Sequence, residues 1–251
     1  MNTTLTALIV FGCLVGAVLL GRALRRLLPE AHLTADSKDA IKLAMGLVAT
    51  MSALILGLLV SSAKGSYDTE RSEVIQMAAK IAFLDRVLDI YGPEASEART
   101  RFHEAATQAV QRMWPGQVGQ PARLAPNMQA GNVVYGAVQA LSPHDDTQRK
   151  LKDQATTLAT DLGQLRSLLV AQSVPSISTP MLIILVSWLV VIFVGFSVLA
   201  PPNVTTMLAL TISALAVSGA IFLILELDQP FDGVIRISSE PMLNALHQFA
   251  K

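Results

Sequence analysis

The sequence predicts an all-α integral membrane protein with four transmembrane helices and a helical extramembrane domain between the second and third. Three observations lead there. Of 251 residues, 52% are hydrophobic and only 15% charged, well below the roughly 25% charge of soluble domains. The apolar excess is gathered into four blocks of bilayer length, whereas residues 64–179 have ordinary soluble composition. Finally, apolar positions recur at helical spacing throughout, and no alternating strand pattern of any length occurs.

A membrane-spanning helix needs about 20 mainly apolar residues. The first block runs from Leu5 to Leu20 and is followed by Arg22, Arg25 and Arg26. A signal peptide carries its positive charges before the apolar stretch, so these flanks argue for a retained span. The second block runs from Leu43 to Ala63, between Lys42 and Lys64. The third runs from Pro180 to Ala200, with proline at the position favoured in a first helical turn, and the fourth from Val204 to Leu225. Ala200–Asn203 leaves room only for a tight antiparallel turn. The predicted organisation is residues 1–63 (spans one and two), 64–179 (helical domain), 180–225 (spans three and four) and 226–251 (a tail with a short amphipathic helix).

Four spans place both termini and the helical domain on one side of the bilayer. The short loop holding Arg22, Arg25, Arg26, Lys38 and Lys42 predicts, by the positive-inside rule, that the loop is cytoplasmic. Lys64, Arg71 and Arg166 near the opposite face argue the other way, so the side of the helical domain stays open.

Within residues 64–179 there are 12 Lys or Arg and 12 Asp or Glu, and neither this segment nor the neutral whole offers a basic stripe for nucleic acid. Val74, Met77, Ile81, Leu84 and Leu88 form one helical stripe. Gly92-Pro93 marks a stop and a new start. A second stripe reads Ala98, Phe102, Ala105, Ala109 and Met113. Pro115–Gly131 reads as a loop, and a short helix with Val134, Val138 and Leu141 follows. Ser142 before Pro143 reads as the cap of a helix carrying Leu151, Ala155, Leu158, Leu162, Leu165 and Leu169. The heptad-like helices that grow from spans two and three are expected to pack on each other or on neighbouring subunits. In the tail, Ser239-Glu240-Pro241 opens a helix with Met242, Leu246 and Phe249 on one side, suited to a membrane interface.

No nucleotide-binding, zincin or paired-cysteine motif occurs, no catalytic constellation is found, and the chain reads as a non-enzyme. Cys13 is the single cysteine. His144-Asp145-Asp146 reads as a helix start, and Asn203-Val204-Thr205 as a chance sequon. The informative residues are intramembrane. Gly12 and Gly16 form a small-residue step on span one. Gly46, Thr50, Ala53, Gly57 and Ser61 share one face of span two. Small residues allow close helix packing, and equally leave room for a pore. In the pore reading Leu56, Leu59 and Val60 supply an apolar gate, and Lys42 and Lys64 at the mouths favour anions. No ionisable residue lies mid-span, which disfavours a proton-coupled transporter. Past span four, Glu226, Asp228 and Asp232 could hold a cation such as Ca²⁺, or form a solvated turn paired with Lys64, Arg71 or Arg236.

Several phrases carry a family resemblance: Arg26-Leu27-Leu28-Pro29-Glu30-Ala31-His32, Leu56–Lys64 (LGLLVSSAK), Ile90–Ala95 (IYGPEA), Ser187-Trp188-Leu189, Leu199–Asn203 (LAPPN) and Leu223–Gly233 (LILELDQPFDG). In this order, over nearly the whole chain, they resemble the bacterial bestrophin-like family of four-span membrane proteins. The resemblance implies a homopentameric anion channel of the bacterial inner membrane, lined by the second span, with a cytoplasmic helical domain. It also implies a Ca²⁺ site in the acidic run after span four. Two features differ from bestrophins. No Phe, Tyr or Trp lies between Leu43 and Ser66, and the acidic run is sparse. A second reading is a membrane-anchored sensor or scaffold whose helical insert binds a ligand or partner.

Overall fold

A computed structural model describes residues 3–29, 34–115, 128–172, 177, 179–201 and 203–247. Among these there are helices and no strand. In chain order the helices are α1 (Thr3–Leu27), α2 (Ala35–Tyr91), α3 (Ser96–Met113), α4 (Met128–Gln139), α5 (Asp146–Gln172), α6 (Thr179–Leu199), α7 (Val204–Leu227) and α8 (Glu240–His247), with a 3₁₀ turn at Pro93–Ala95. Four of them, α1, α2, α6 and α7, are long and apolar enough to cross a membrane. The protein is an integral membrane protein.

The chain divides into two compact units, Met1–Ser66 with Ser176–Asp228, and Tyr67–Pro175 with Gln229–Lys251. In the first, α1 packs on α6 and α7. The side of α1 that does so carries Ala7, Val10, Leu14, Ala17, Val18 and Gly21, a repeat of three and four residues that keeps one face against its neighbours. Two hydroxyls tie the helices. Ser197 Oγ donates to the Val18 carbonyl at 2.6 Å and Ser218 Oγ to that of Ala7 at 2.7 Å. Such bonds matter where lipid offers no hydrophobic drive for association.

Close approach is set at Gly21, not at Gly12 or Gly16. A Cβ on Gly21 would lie 2.5 Å from the Val194 carbonyl oxygen and 2.8 Å from Ser197 Cβ, whereas one on Gly12 or Gly16 would meet nothing within 4 Å. Gly21→Ala is therefore expected to cost about 2 kcal/mol by forcing α1 off α6, seen as a lower unfolding temperature in mild detergent. Gly16→Ala, whose methyl group meets open space, should leave that temperature at or slightly above the parent's.

The second unit is built on the outer part of α2. Val74, Met77, Ile81, Leu84 and Leu88 are all buried, as their spacing predicts. Lys80 Nζ meets Asp161 Oδ2 at 2.5 Å, and Gln172 Nε2 donates to Glu73 Oε1 at 3.0 Å, which aligns α5 antiparallel to α2. Gly92 ends α2 with φ 114°, a conformation that costs a residue with a Cβ.

Several expectations need correction. The buried stripe of α3 is Ala98, Phe102, Ala106, Val110 and Met113. Ala105 and Ala109 are half-buried beside it, because spacings of four keep the apolar edge one residue later. Ser142 and Pro143 lie outside α5. Asp145 caps it, accepting from the Gln148 backbone N–H at 2.7 Å, since a carboxylate satisfies an orphan amide at a helix start. The predicted Pro115–Gly131 loop is interrupted by α4, which begins at Met128; residues 116–127 lie outside the described ones. The tail helix docks through Met242 and Ala245 into the core of its own unit rather than presenting that side to a membrane interface, and Phe249 lies outside the described residues. Asn203 of the sequon caps α7, accepting from the Thr206 N–H at 2.9 Å.

Candidate functional site

Helix α2 has 57 residues, which at 1.5 Å per residue makes it about 85 Å long. Alanine and leucine dominate its apolar part and no proline interrupts it, so nothing breaks the backbone ladder between Ala35 and Tyr91. Within that apolar part, burial is confined to one stripe, Met45, Ser52, Leu59 and Ala63. These lie seven, seven and four residues apart, one side of a helix. Met45 is seated against Gly195 of α6, where a Cβ would collide with its side chain.

The residues predicted to line a pore lie elsewhere on the helix. Gly46, Thr50, Ala53, Gly57 and Ser61 are all exposed in the single chain. A Cβ added to Gly46 or Gly57 would meet nothing within 4 Å. Packing inside one chain therefore does not account for the small residues there. Thr50 donates its hydroxyl to the Gly46 carbonyl at 2.9 Å, which satisfies its polar atom within the helix and turns that face still less polar. Beside this face run Leu43, Leu47, Met51, Leu54 and Leu58, all exposed.

The three gate candidates, three and four residues apart, lie on one side of the helix, away from the centre of the open face. Leu59 is 4% exposed and belongs to the buried stripe. It cannot share the open face because two residues separate it from Gly57, about 200° around the helix. Leu56 and Val60 are half-buried between that stripe and the open face. Of the mouth charges, Lys42 is exposed and bonded to Asp39 at 2.9 Å, and Lys64 is exposed.

Glu226 is 1% exposed and accepts from the Thr3 hydroxyl of α1. Asp228 follows α7 as its C-cap. Asp232 belongs to the other compact unit, in a turn where its N–H donates to the Gln229 carbonyl at 3.1 Å. Among the described residues no three His, Cys, Asp or Glu side chains form a group able to hold a metal ion.

Features that spacing did not reveal stand on the outer helices. Arg99 of α3 grips Asp85 of α2 with Nε and Nη2 at 2.5 and 2.9 Å, and reaches Asp89 at 2.8 Å. The hydrogen bonds to Asp85 raise its pKa further above the ordinary arginine value. Trp114 packs edge-on against Phe231, centroids 5.9 Å apart, and donates its indole N–H to the Ile237 carbonyl at 2.8 Å. No local motif announces partners so distant in sequence.

The model of the bestrophin-like domain matches residues 12–242. The chain belongs to the bestrophin-like family. Its fold is also that of a solved bacterial bestrophin homolog from Klebsiella pneumoniae, determined in a point-mutated form. That likeness has a TM-score of 0.67 and covers 98% of each chain at 13% sequence identity. Among curated proteins nothing matches. At so low an identity the likeness shows a shared fold, and the bestrophin-like layout of four spans and a helical domain is the part it supports.

Proposed function

We propose that this bestrophin-like chain assembles as a homo-oligomer, a pentamer by the family's layout, and conducts small anions across the bacterial inner membrane. The observation that carries the reading is the open small-residue face of α2. Gly46 and Gly57 have free space where a Cβ would stand, on a helix long enough to span the bilayer. An oligomer is required because helices packed 8–10 Å apart leave no lumen within one chain. Around a symmetry axis, five such faces would line a pore with Gly, Ala, Ser and Thr, while the neighbouring leucines supply subunit contacts. Lys64 at one end of the face would favour anions electrostatically. No enzymatic step and no bound cation enters the proposal.

The test is chloride flux into liposomes containing the purified protein, compared with potassium flux under the same gradient, after its mass in mild detergent has been measured. Chloride flux from an oligomer supports the reading. A monomer, or well-folded protein passing neither ion, overturns it and favours a sensor or scaffold, to be pursued by ligand binding to the full chain. Within this frame Leu59→Ala is expected to lower thermal stability, because it empties a buried position, while chloride flux per folded oligomer stays at the parent level. A changed selectivity or gating would return Leu59 to the pore.

A further inference from the structure

Among the described residues, the arginines after the first span enter no salt bridge. Arg22 and Arg25 are half-buried and line a small cleft where the ends of α1, α6 and α7 come together. Arg25 Nη1 donates to the carbonyls of Val198, at 3.3 Å, and Ala200 at the end of α6. Those carbonyls orient the guanidinium without neutralising it. Among the described residues neither Arg22 nor Arg25 enters a salt bridge, and no carboxylate lines the cleft. The hydroxyls there are already committed, Ser197 to the Val18 carbonyl and Thr206 to Asn203 Oδ1. The donors left over belong to the arginines.

We infer that this cleft binds the phosphodiester of an anionic phospholipid. Arg22 follows the apolar part of α1 within a turn, which sets the cleft at the depth of the lipid headgroups. Basic clefts between spans at that depth recognise anionic headgroups. A guanidinium presents paired N–H groups that match two phosphate oxygens, and among the described residues nothing occupies the fork of Arg22. Thr206 and Met207, in the first turn of α7, line the cleft as well, so the positive end of that helix adds to the attraction. The enclosed part holds about 10 Å³, room for a single water-sized group, so the phosphate sits at the mouth, against Arg22. Leu20, Leu24 and Leu208, exposed on α1 and α7, leave apolar surface for acyl chains beside it.

The test is native mass spectrometry of the full-length protein released from detergent, titrated with phosphatidylglycerol, phosphatidylcholine or inorganic phosphate. Phosphatidylglycerol is expected to bind the parent, and Arg22→Gln to weaken it about ten-fold, the loss of one charge-assisted pair. Arg26→Gln, an exposed neighbour that does not line the cleft, should bind as the parent does. Arg25 is left intact because it also caps α6. Equal loss in Arg22→Gln and Arg26→Gln would reduce the effect to diffuse surface charge and overturn the site. Equal binding of phosphatidylcholine, or competition by inorganic phosphate at similar concentration, would overturn its assignment to an anionic lipid. A parent-like Arg22→Gln would overturn it as well. None of these outcomes depends on ion flux, so the inference stands or falls apart from the channel reading.

Discussion

Replacing Gly57 with Trp is expected to abolish chloride flux while the chain still folds and inserts. A Cβ at Gly57 meets nothing within 4 Å, so a side chain can leave the backbone there without an immediate clash inside one subunit. Repeated around a symmetry axis, the same substitution would place one indole per subunit into a lumen otherwise bordered by glycine, alanine and hydroxyl side chains, and the path would close. Flux should fall to the level of protein-free liposomes with oligomeric mass unchanged. Gly57→Ala provides the graded companion. It adds one methyl group, favours the helix by about 1 kcal/mol, and should retain measurable flux. Should Gly57→Trp conduct like the parent, the open face of α2 would not be the pore, and the lining would have to be sought among the other exposed faces.

The second large effect concerns the outer helices. Arg99→Ala is expected to destabilise the helical domain by about 3 kcal/mol, the low end for breaking a buried ion pair, because the Arg99 side chain itself is 32% exposed. The cost arises at Asp85, whose side chain is 9% exposed and would be left without its two guanidinium bonds. Arg99→Lys should recover only part of the loss, since an ammonium cannot span both carboxylate oxygens in one plane. Pairing Arg99→Ala with Asp85→Asn should be milder than Arg99→Ala alone, as no uncompensated charge then remains. Hydrogen exchange along α2 and α3 of the full-length protein reads these differences directly. Equal destabilisation by the single and double variants would mean that lost packing, and not the stranded carboxylate, sets the cost.

Much of this architecture is legible in the chain because it rests on local periodicity. Four apolar blocks of bilayer length need no partner to be recognised, since the bilayer requires every backbone group of a span to be bonded within its own helix. The stripe Val74, Met77, Ile81, Leu84 and Leu88 was readable for a related reason. A helix in water must hide its apolar side, and only one side is available. The open face at Gly46 and Gly57 was also visible as a pattern, although the pattern alone fits tight packing as well as a lumen.

What tertiary structure decided is which side of each helix meets another. Inside the bilayer all sides of a span are apolar, so hydrophobicity no longer distinguishes the buried side from the lipid-facing one. Leu59 and Leu58 look alike in sequence, yet Leu59 is buried and Leu58 is exposed. For the same reason Gly21, rather than Gly12 or Gly16, proved to be the glycine at a helix crossing. The Arg99–Asp85 grip, the Trp114–Phe231 contact and the cleft of Arg22 and Arg25 each depend on segments meeting across turns or long stretches of chain. Composition and spacing settle that this chain spans the membrane as helices. Only the fold determines which of their faces stay open, because that choice is made by the neighbouring helix and not by the solvent.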